Sequence, residues 1–279
     1  MQRACHGGIG CHRGEGLIMW LQTRCELEFT IAEPTPFVLM LRPYRGPGQW
    51  VAREECRLTP TVRAAEFIDT FGNLCLRLVA PSGEFAVHAA AEVMTADSED
   101  RGQGAPFVEV QNLPDSALCY LLPSRYCESD RFYNMASEIT AGRQPGYDQV
   151  AAIEAWLRER IRYLPGSSEF PESAVEVNLR QSGVCRDLTH LGIALCRSLS
   201  IPSRIVVGYL HDLQPMDMHA WFEAFVGGRW YTFDATQKPL RGGYVVTGYG
   251  RDAADVALYN QFGAPVDCHR QEVGVTRIE

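Results

Sequence analysis

The sequence predicts an α+β protein with two parts: an N-terminal antiparallel β-sandwich or barrel-like domain, and a later domain in which a helix bearing a cysteine packs on an antiparallel sheet. Three observations support this prediction. The first third of the chain reads as short strands separated by turn residues. A helical leucine pattern follows Cys185. Two aromatic, strand-like runs come next, joined by Val226-Gly227-Gly228.

The predicted domain boundaries follow changes in composition along the chain. Residues 1–18 are Gly-rich and lack periodicity, which predicts a disordered tail or an upstream extension of the reading frame. Residues 19–95 form the predicted β-rich domain. Residues 96–117 are predicted to be a linker, because an acidic run is followed by Gly and Pro. Residues 118–279 form the predicted catalytic domain.

Six predicted strands lie in the N-terminal domain. They have the β-branched and apolar content of strands, and Pro or Gly separates them. No acid/base pair occurs among them, so a binding or scaffolding role is expected for this domain. The six strands are predicted near residues 23–31, 37–41, 50–58, 61–69, 73–79 and 84–94.

The second domain is predicted to contain helices and an antiparallel sheet. Residues 131–141 are predicted to be helical. Residues 147–163 place apolar side chains on one helical face, which predicts a helix that packs beside the Cys185 helix. Four strands are predicted near residues 204–210, 219–226, 229–235 and 243–247.

Cys185 lies where a turn signal gives way to a helical pattern. Leu188, Leu191 and Leu195 recur at three- and four-residue steps, and Pro202 ends the pattern, so a helix is predicted from about 184 to 199. The cysteine is therefore expected in the first turn. Unpaired backbone N–H groups and the helix dipole favour an anion there, and a nearby imidazolium lowers the pKa of a thiol.

His219 and Asp234 occupy the open ends of a predicted hairpin. His219 starts the first aromatic run and Asp234 ends the second, so the two side chains are expected to touch. An Asp that accepts from one ring nitrogen orients the imidazole and leaves the other nitrogen for a thiol. The predicted catalytic residues are Cys185, His219 and Asp234.

These residues resemble the transglutaminase-like superfamily of papain-type cysteine enzymes, and in particular bacterial members described as candidate cysteine proteases. The resemblance covers about 150–240, which includes the motif at 161–166, and extends downstream to 249–256. One departure is that Ala235 follows Asp234, where the family more often has Pro, which affects the turn after the acid. The motifs that carry the resemblance are Gly183-Val184-Cys185-Arg186-Asp187-Leu188, Ser200-Ile201-Pro202-Ser203-Arg204, His219-Ala220-Trp221-Phe222-Glu223 and Trp230-Tyr231-Thr232-Phe233-Asp234-Ala235-Thr236.

The resemblance implies a papain-like transglutaminase core and acyl transfer through a thioester on Cys185. His219 would protonate the departing amine and Asp234 would hold His219. The Cys185 backbone N–H is the expected oxyanion donor, and no second donor is predicted. Deacylation by water would make a peptidase or amidase, which is the leading hypothesis. Deacylation by an amine would make a protein-glutamine gamma-glutamyltransferase.

Two further classes stay open at this point. The chain could be a non-catalytic peptide- or protein-binding module, or the cysteine content could mark a redox or metal protein. The pairs Cys5-His6 and Cys11-His12 resemble metal ligands, but no second cluster with zinc spacing follows, so no metal and no cofactor are predicted.

Four other polar residues lie in or near the motifs and are not predicted to be catalytic. Asp187 lies in the first helical turn, where it could support the cysteine or complement the helix dipole. His190 is expected to serve in packing or at the surface. Glu223 and Tyr231 are assigned no role.

Charge and cysteine content limit the partners and the compartment. A net charge of −8 argues against a nucleic-acid surface, and no stretch is apolar enough to cross a bilayer. The ten cysteines are expected to be reduced, because no export signal is recognised. A cytoplasmic protein acting on a peptide or protein substrate is predicted, with no nucleic acid or membrane partner. The oligomeric state is not predicted.

Overall fold

The structure is a computed structural model that describes residues 18–167 and 170–279. Residues 1–17 of the predicted tail lie outside the described residues, and so do the Cys5-His6 and Cys11-His12 pairs. Ile18, the last residue of that predicted tail, begins the first strand. No helix within the described ranges is long and apolar enough to span a membrane.

All six strands predicted for the N-terminal part are present. In β1 and β6 buried side chains alternate with more exposed ones, as expected for strands with one face on a core, whereas the side chains of the short β4 are all exposed. In the first strand, every second residue from Met19 to Ile31 is buried. The strands are β1 (Ile18–Ile31), β2 (Thr35–Leu39), β3 (Gln49–Thr59), β4 (Ala64–Ile68), β5 (Leu74–Ala80) and β6 (Gly83–Ala96).

Helices occupy the middle of the chain, and two two-residue strands lie between them. The predicted helices near 131–141, 147–163 and 184–199 are confirmed with shorter bounds, whereas the helix over residues 174–180 was not predicted. In chain order these elements are α1 (Asp115–Leu118), α2 (Tyr133–Ile139), α3 (Tyr147–Arg160), β7 (Arg162–Tyr163), α4 (Ala174–Arg180), β8 (Ser182–Gly183) and α5 (Cys185–Ser198).

Six strands complete the chain. The first four match the strands predicted for the second domain. The last two were not predicted. They are β9 (Ser203–Leu210), β10 (His219–Val226), β11 (Arg229–Phe233), β12 (Tyr244–Gly250), β13 (Tyr259–Gln261) and β14 (Asp267–Ile278).

Three four-stranded antiparallel sheets organise the molecule. Two of them, ordered β14-β1-β6-β3 and β13-β2-β5-β4, bury Leu27, Phe29, Phe37 and Phe85 in one apolar core. The third sheet has the order β11-β10-β9-β12, and α5 packs on it through a core that includes Leu191. The predicted α+β class is confirmed.

The end of the chain returns to the N-terminal sheets. β14 pairs with β1 along its length, from Trp20 opposite Ile278 to Thr30 opposite Asp267, and β13 pairs with β2. Both strands come from the predicted 118–279 domain. Pairing between strands so distant in sequence leaves no local signal in the residues of either strand. The division of the chain into domains stays a prediction.

Hydrogen bonds tie the N-terminal sheets to β12. The hydroxyl of Thr95 donates to the Tyr244 carbonyl at 2.8 Å. The side chain of Gln49 accepts from the N–H of Val246 at 2.8 Å and donates to its carbonyl at 2.9 Å. The amide of Asn73 makes the same kind of two-way contact with the backbone of Tyr249. The position of β12 therefore depends on both parts of the molecule.

Candidate active site

Cys185 is the first residue of α5, as the leucine pattern indicated. Val184 before it is extended, with φ −88° and ψ 176°, and serves as the N-cap. β8 leads into this cap and pairs with β7, Gly183 opposite Tyr163. The Cys185 side chain is partly exposed. A thiol in this position lies at the positive end of the helix dipole, which favours its anion.

Asp187 closes the turn behind Cys185. Its side chain is fully buried, and Oδ2 accepts from the Val184 N–H at 3.1 Å. A Cβ atom at Gly183 would lie 2.7 Å from the Cβ of Asp187, so only glycine fits there without movement. Of the two roles considered for Asp187, the structure supports the one at the helix N-terminus, where the carboxylate fixes the backbone that carries Cys185.

His219 and Asp234 meet at the open end of the β10–β11 hairpin. His219 starts β10 and Asp234 follows β11, and Phe222 pairs with Phe233 between them. Nε2 of His219 donates to Oδ2 of Asp234 at 2.6 Å, and both side chains are almost completely buried. The imidazole is therefore held through Nε2, and Nδ1 is the ring nitrogen left for another partner.

Three further donors hold the Asp234 carboxylate. The backbone N–H and the hydroxyl of Thr236 donate to Oδ1 at 2.9 and 2.7 Å. The hydroxyl of Tyr244 donates to Oδ2 at 2.9 Å. With His219 this makes four donors on one carboxylate, which offsets the cost of burying its charge.

The backbone of Asp234 is also held, from α3. Glu154 accepts from the Asp234 N–H at 2.9 Å, and Nη2 of Arg158 donates to the Asp234 carbonyl at 3.0 Å. Glu154 and Arg158 form an i, i+4 ion pair with N and O 3.2 Å apart. The sequence carried a signal for Glu154, a carboxylate on the apolar face of α3, that the prediction of this helix did not use.

The electrostatics of the pair favour two opposite charges. Burial lowers the pKa of His219, but the charge and hydrogen bond of Asp234, aided by the Cys185 side chain, outweigh it and raise this pKa. Burial raises the pKa of Asp234, and His219 and Thr236 together bring it below its ordinary value. An imidazolium beside a carboxylate is the protonation state that the surroundings stabilise.

Cys185 is a neighbour of His219. Its side chain is among the groups that raise the pKa of His219. Nδ1 of His219 has no hydrogen bond of normal geometry to the residues that the structure describes. Thiol and ring are thus neighbours, and the hydrogen bonds between catalytic groups are often long in free enzymes and tighten when substrate binds. Burial, followed by the charges of Cys185 and Asp234, raises the pKa of the Tyr163 hydroxyl.

His190 is a packing residue and not a surface residue. It is fully buried; Nδ1 lies 2.7 Å from the Glu172 carbonyl, and Nε2 accepts from the Ala253 N–H at 3.2 Å. Its ring stacks on Tyr126 with the centroids 5.2 Å apart. Because Nε2 is an acceptor, the ring is neutral, and burial lowers its pKa accordingly.

Glu223 and Tyr231 make their contacts with residues other than the three predicted catalytic ones. Glu223 forms an ion pair with Arg204 at 2.6 Å. Tyr231 packs edge-on against Tyr147 with the centroids 5.3 Å apart. In the described part of the chain, no group of three or more His, Cys, Asp or Glu side chains is arranged to hold a metal ion.

Comparisons with known proteins agree with this architecture. The family model of the transglutaminase-like superfamily matches residues 133–235, which include Cys185, His219 and Asp234. A crystal structure of a protein from Cytophaga hutchinsonii, described as a candidate cysteine protease, is 33% identical and has a TM-score of 0.87. The match covers 94% of this chain and 92% of that one.

Two mycobacterial proteins are similar in sequence. An uncharacterized protein of Mycobacterium leprae is 29% identical over 242 residues, covering 80% of this chain and 86% of that protein. An uncharacterized protein of Mycobacterium tuberculosis is 34% identical over 129 residues, 41% of each chain. The chain belongs to the transglutaminase-like superfamily.

Proposed function

We propose that the protein is a thiol-dependent acyl-transfer enzyme that acts on amide bonds of a peptide or protein through a thioester on Cys185. The observation that carries the proposal is the buried His219–Asp234 pair, held through Nε2 of the ring, with the Cys185 side chain as a further neighbour of His219. A raised pKa for His219 favours the protonated ring that an adjacent thiolate needs.

Each residue then has a defined chemical step. The Cys185 sulfur attacks the carbonyl carbon and forms the thioester, and the imidazolium of His219 gives its proton to the departing amine. Asp234 keeps the ring oriented and stabilises its positive charge. The backbone N–H of Cys185, at the start of α5, stabilises the oxyanion. His219 afterwards takes the proton from the molecule that cleaves the thioester.

Hydrolysis by water is the proposed second half-reaction. It is supported by the similarity to the candidate cysteine protease, with 33% identity over nearly the whole chain. Transfer to an amine, as in a transglutaminase, uses the same thioester and the same three residues. A cytoplasmic location belongs to the same proposal, because Cys185 acts only as a free thiol and the cysteines that the structure describes are free.

Selective alkylation tests the nucleophile. At about pH 6.5, where an ordinary thiol is nearly all protonated, iodoacetamide is expected to label Cys185 much faster than the other cysteines. Cys119 serves as an internal control, because it is exposed to the reagent and has no lowered pKa. Partial desolvation raises the pKa of its thiol. His219→Ala should slow the labelling of Cys185 alone. Equal labelling of Cys119 and Cys185 would favour a non-catalytic binding module.

A substrate panel tests the reaction. Glutamine-containing peptides and simple amides are incubated with and without a primary amine, and ammonia, new amino termini and crosslinked product are measured. New amino termini that form equally well without the added amine indicate a peptidase. Ammonia that is released equally well without the added amine indicates an amidase. Crosslinked product indicates a transglutaminase. Cys185→Ala is the blank in each case, and activity that survives in it would contradict the thioester mechanism.

A further inference from the structure

We propose that Tyr244 is a positioning residue for the Asp234 carboxylate, and that the N-terminal domain takes part in the site by holding the strand that carries Tyr244. This inference rests on the proposed function for its catalytic meaning. The contacts that support it lie outside Cys185, His219 and Asp234 themselves.

The Tyr244 hydroxyl and the His219 ring share one oxygen. Oδ2 of Asp234 accepts from Tyr244 at 2.9 Å and from His219 at 2.6 Å, while Thr236 occupies Oδ1. Donors on both oxygens prevent the carboxylate from rotating about its Cβ–Cγ bond. The plane in which Asp234 accepts from His219 is therefore set from two sides, by Thr236 and by Tyr244.

The ring of Tyr244 also covers the pair. It packs on Trp221 with the centroids 4.7 Å apart and lies 6.4 Å from His219, and it is buried. Burial, followed by the charges of Asp234, Glu99 and Glu154, raises the pKa of its hydroxyl above the ordinary range. The hydroxyl is therefore protonated at neutral pH and donates to Asp234.

The strand that carries Tyr244 is held by the N-terminal sheets. β12 pairs with β9 on one side, and Tyr244 itself lies opposite Leu210. Its carbonyl accepts from the hydroxyl of Thr95, which lies near the end of β6. Gln49 of β3 adds the two-way contact with Val246. A path of direct contacts thus runs from the N-terminal sheet through β12 to the carboxylate of Asp234.

Two pairs of variants test the inference. Tyr244→Phe removes the hydroxyl and keeps the ring, and Tyr209→Phe is its control, because it removes a buried hydroxyl that donates to Leu41 at 3.0 Å. Thr95→Val removes the bond to Tyr244, and Thr23→Val is its control in the same sheet, where the hydroxyl donates to Ala91.

Two readouts are used: the pH midpoint of the His219 ring by NMR, and the rate of Cys185 alkylation. Tyr244→Phe is expected to lower the His219 midpoint by roughly 0.5 to 1 pH unit. Without the Tyr244 hydroxyl the Asp234 carboxylate is held less firmly in the plane in which it accepts from His219, so the hydrogen bond that raises the pKa of His219 weakens. The same variant should slow alkylation roughly 3- to 10-fold. Thr95→Val should change the midpoint and the alkylation rate in the same direction but by less. In the two control variants the midpoint should match the wild type, and the alkylation rate should stay within about two-fold of it.

The outcomes separate this inference from the proposed function. A midpoint that is unchanged or higher in Tyr244→Phe would overturn it, because Tyr244 would then only pack or compete for Oδ2. Wild-type Cys185 that is no faster than Cys119 would contradict the proposed function, while the NMR midpoint would still decide the role of Tyr244. If Tyr244→Phe does not fold, the midpoint in Thr95→Val decides in its place.

Discussion

His219 and Asp234 lie at opposite ends of a hairpin sequence, and their side chains meet at 2.6 Å because Gly227 and Gly228 turn the chain between the strands. Both glycines have positive φ, 59° and 87°, as a two-residue hairpin turn requires. The turn brings the start of β10 beside the end of β11. The contact between His219 and Asp234 thus depends on a turn that contains neither residue.

Asp234→Asn is expected to reduce the rate of amide cleavage by about 10²- to 10⁴-fold. The side-chain volume is kept, but the charge that raises the pKa of His219 is lost. The rate of Cys185 alkylation near neutral pH serves as the measurement if the substrate is not yet identified. Asp267→Asn, on an exposed residue of β14, is the matched control. Equal rates for the two variants would contradict the role of Asp234.

The stability that the pair supplies should depend on pH in both directions. The pKa of Asp234 is lowered on folding, so its contribution is present above its unfolded pKa of about 3.9 and is lost as the pH falls through the folded value. The pKa of His219 is raised, so its contribution is present below about 6.5 and is lost as the pH rises through the folded value.

Urea unfolding of the wild type and of Asp234→Asn checks this expectation. The difference in the free energy of unfolding should be largest between about pH 3.9 and 6.5, the two unfolded pKa values, and on the order of 3 kcal/mol there. It should shrink in acid and again in alkali. A difference that does not vary with pH would show that the two groups are not an ion pair.

Asp187→Ala is expected to destabilise the protein by about 1 to 3 kcal/mol, because the partly buried N–H of Val184, the N-cap of α5, loses its acceptor. Asp187→Asn keeps an acceptor oxygen and should lose less. Denaturant unfolding measures both. Equal losses in the two variants would mean that charge, rather than the cap geometry, is what this buried position requires.

Gly192→Ala should destabilise the protein although alanine is the better helix former. The gain in helix propensity is about 1 kcal/mol. The new Cβ would lie 2.8 Å from the ring of Phe222 and 3.1 Å from Leu157, closer than ordinary contacts. Overpacking of this kind costs about 1 to 3 kcal/mol, so the net change should be destabilising. Thermal unfolding checks the sign, and a higher midpoint would contradict close packing of α5 on β10.

Much of the secondary structure after residue 118 could be predicted because its signals are local. The leucine spacing placed α5 within one residue of its observed ends, and the aromatic runs placed β10 and β11. α4 was missed although the sequence contains its start signal. Ser173 caps that helix, and the Glu176 carboxylate accepts from the Ser173 N–H at 2.8 Å, which is the capping box recognisable as Ser-x-x-Glu.

The support for Asp234 was beyond prediction for a different reason. Tyr244 reaches Asp234 from β12, and β12 lies on the far side of β9 from β10 in the third sheet. Glu154 reaches the same residue from α3. Neither contact follows from the residues adjacent to it in sequence, because it depends on how separate elements pack.

The sequence by itself determined the periodicities and turns: the alternation in β1, the helix that begins at Cys185, and the hairpin that brings His219 to Asp234. These features depend on residues only a few positions apart, whose backbone preferences and apolar spacing act locally. Only the tertiary structure decided that β14 returns to β1 and that the Tyr244 hydroxyl closes on Asp234. Those contacts join distant segments, and their geometry exists only once the sheets and α5 have packed.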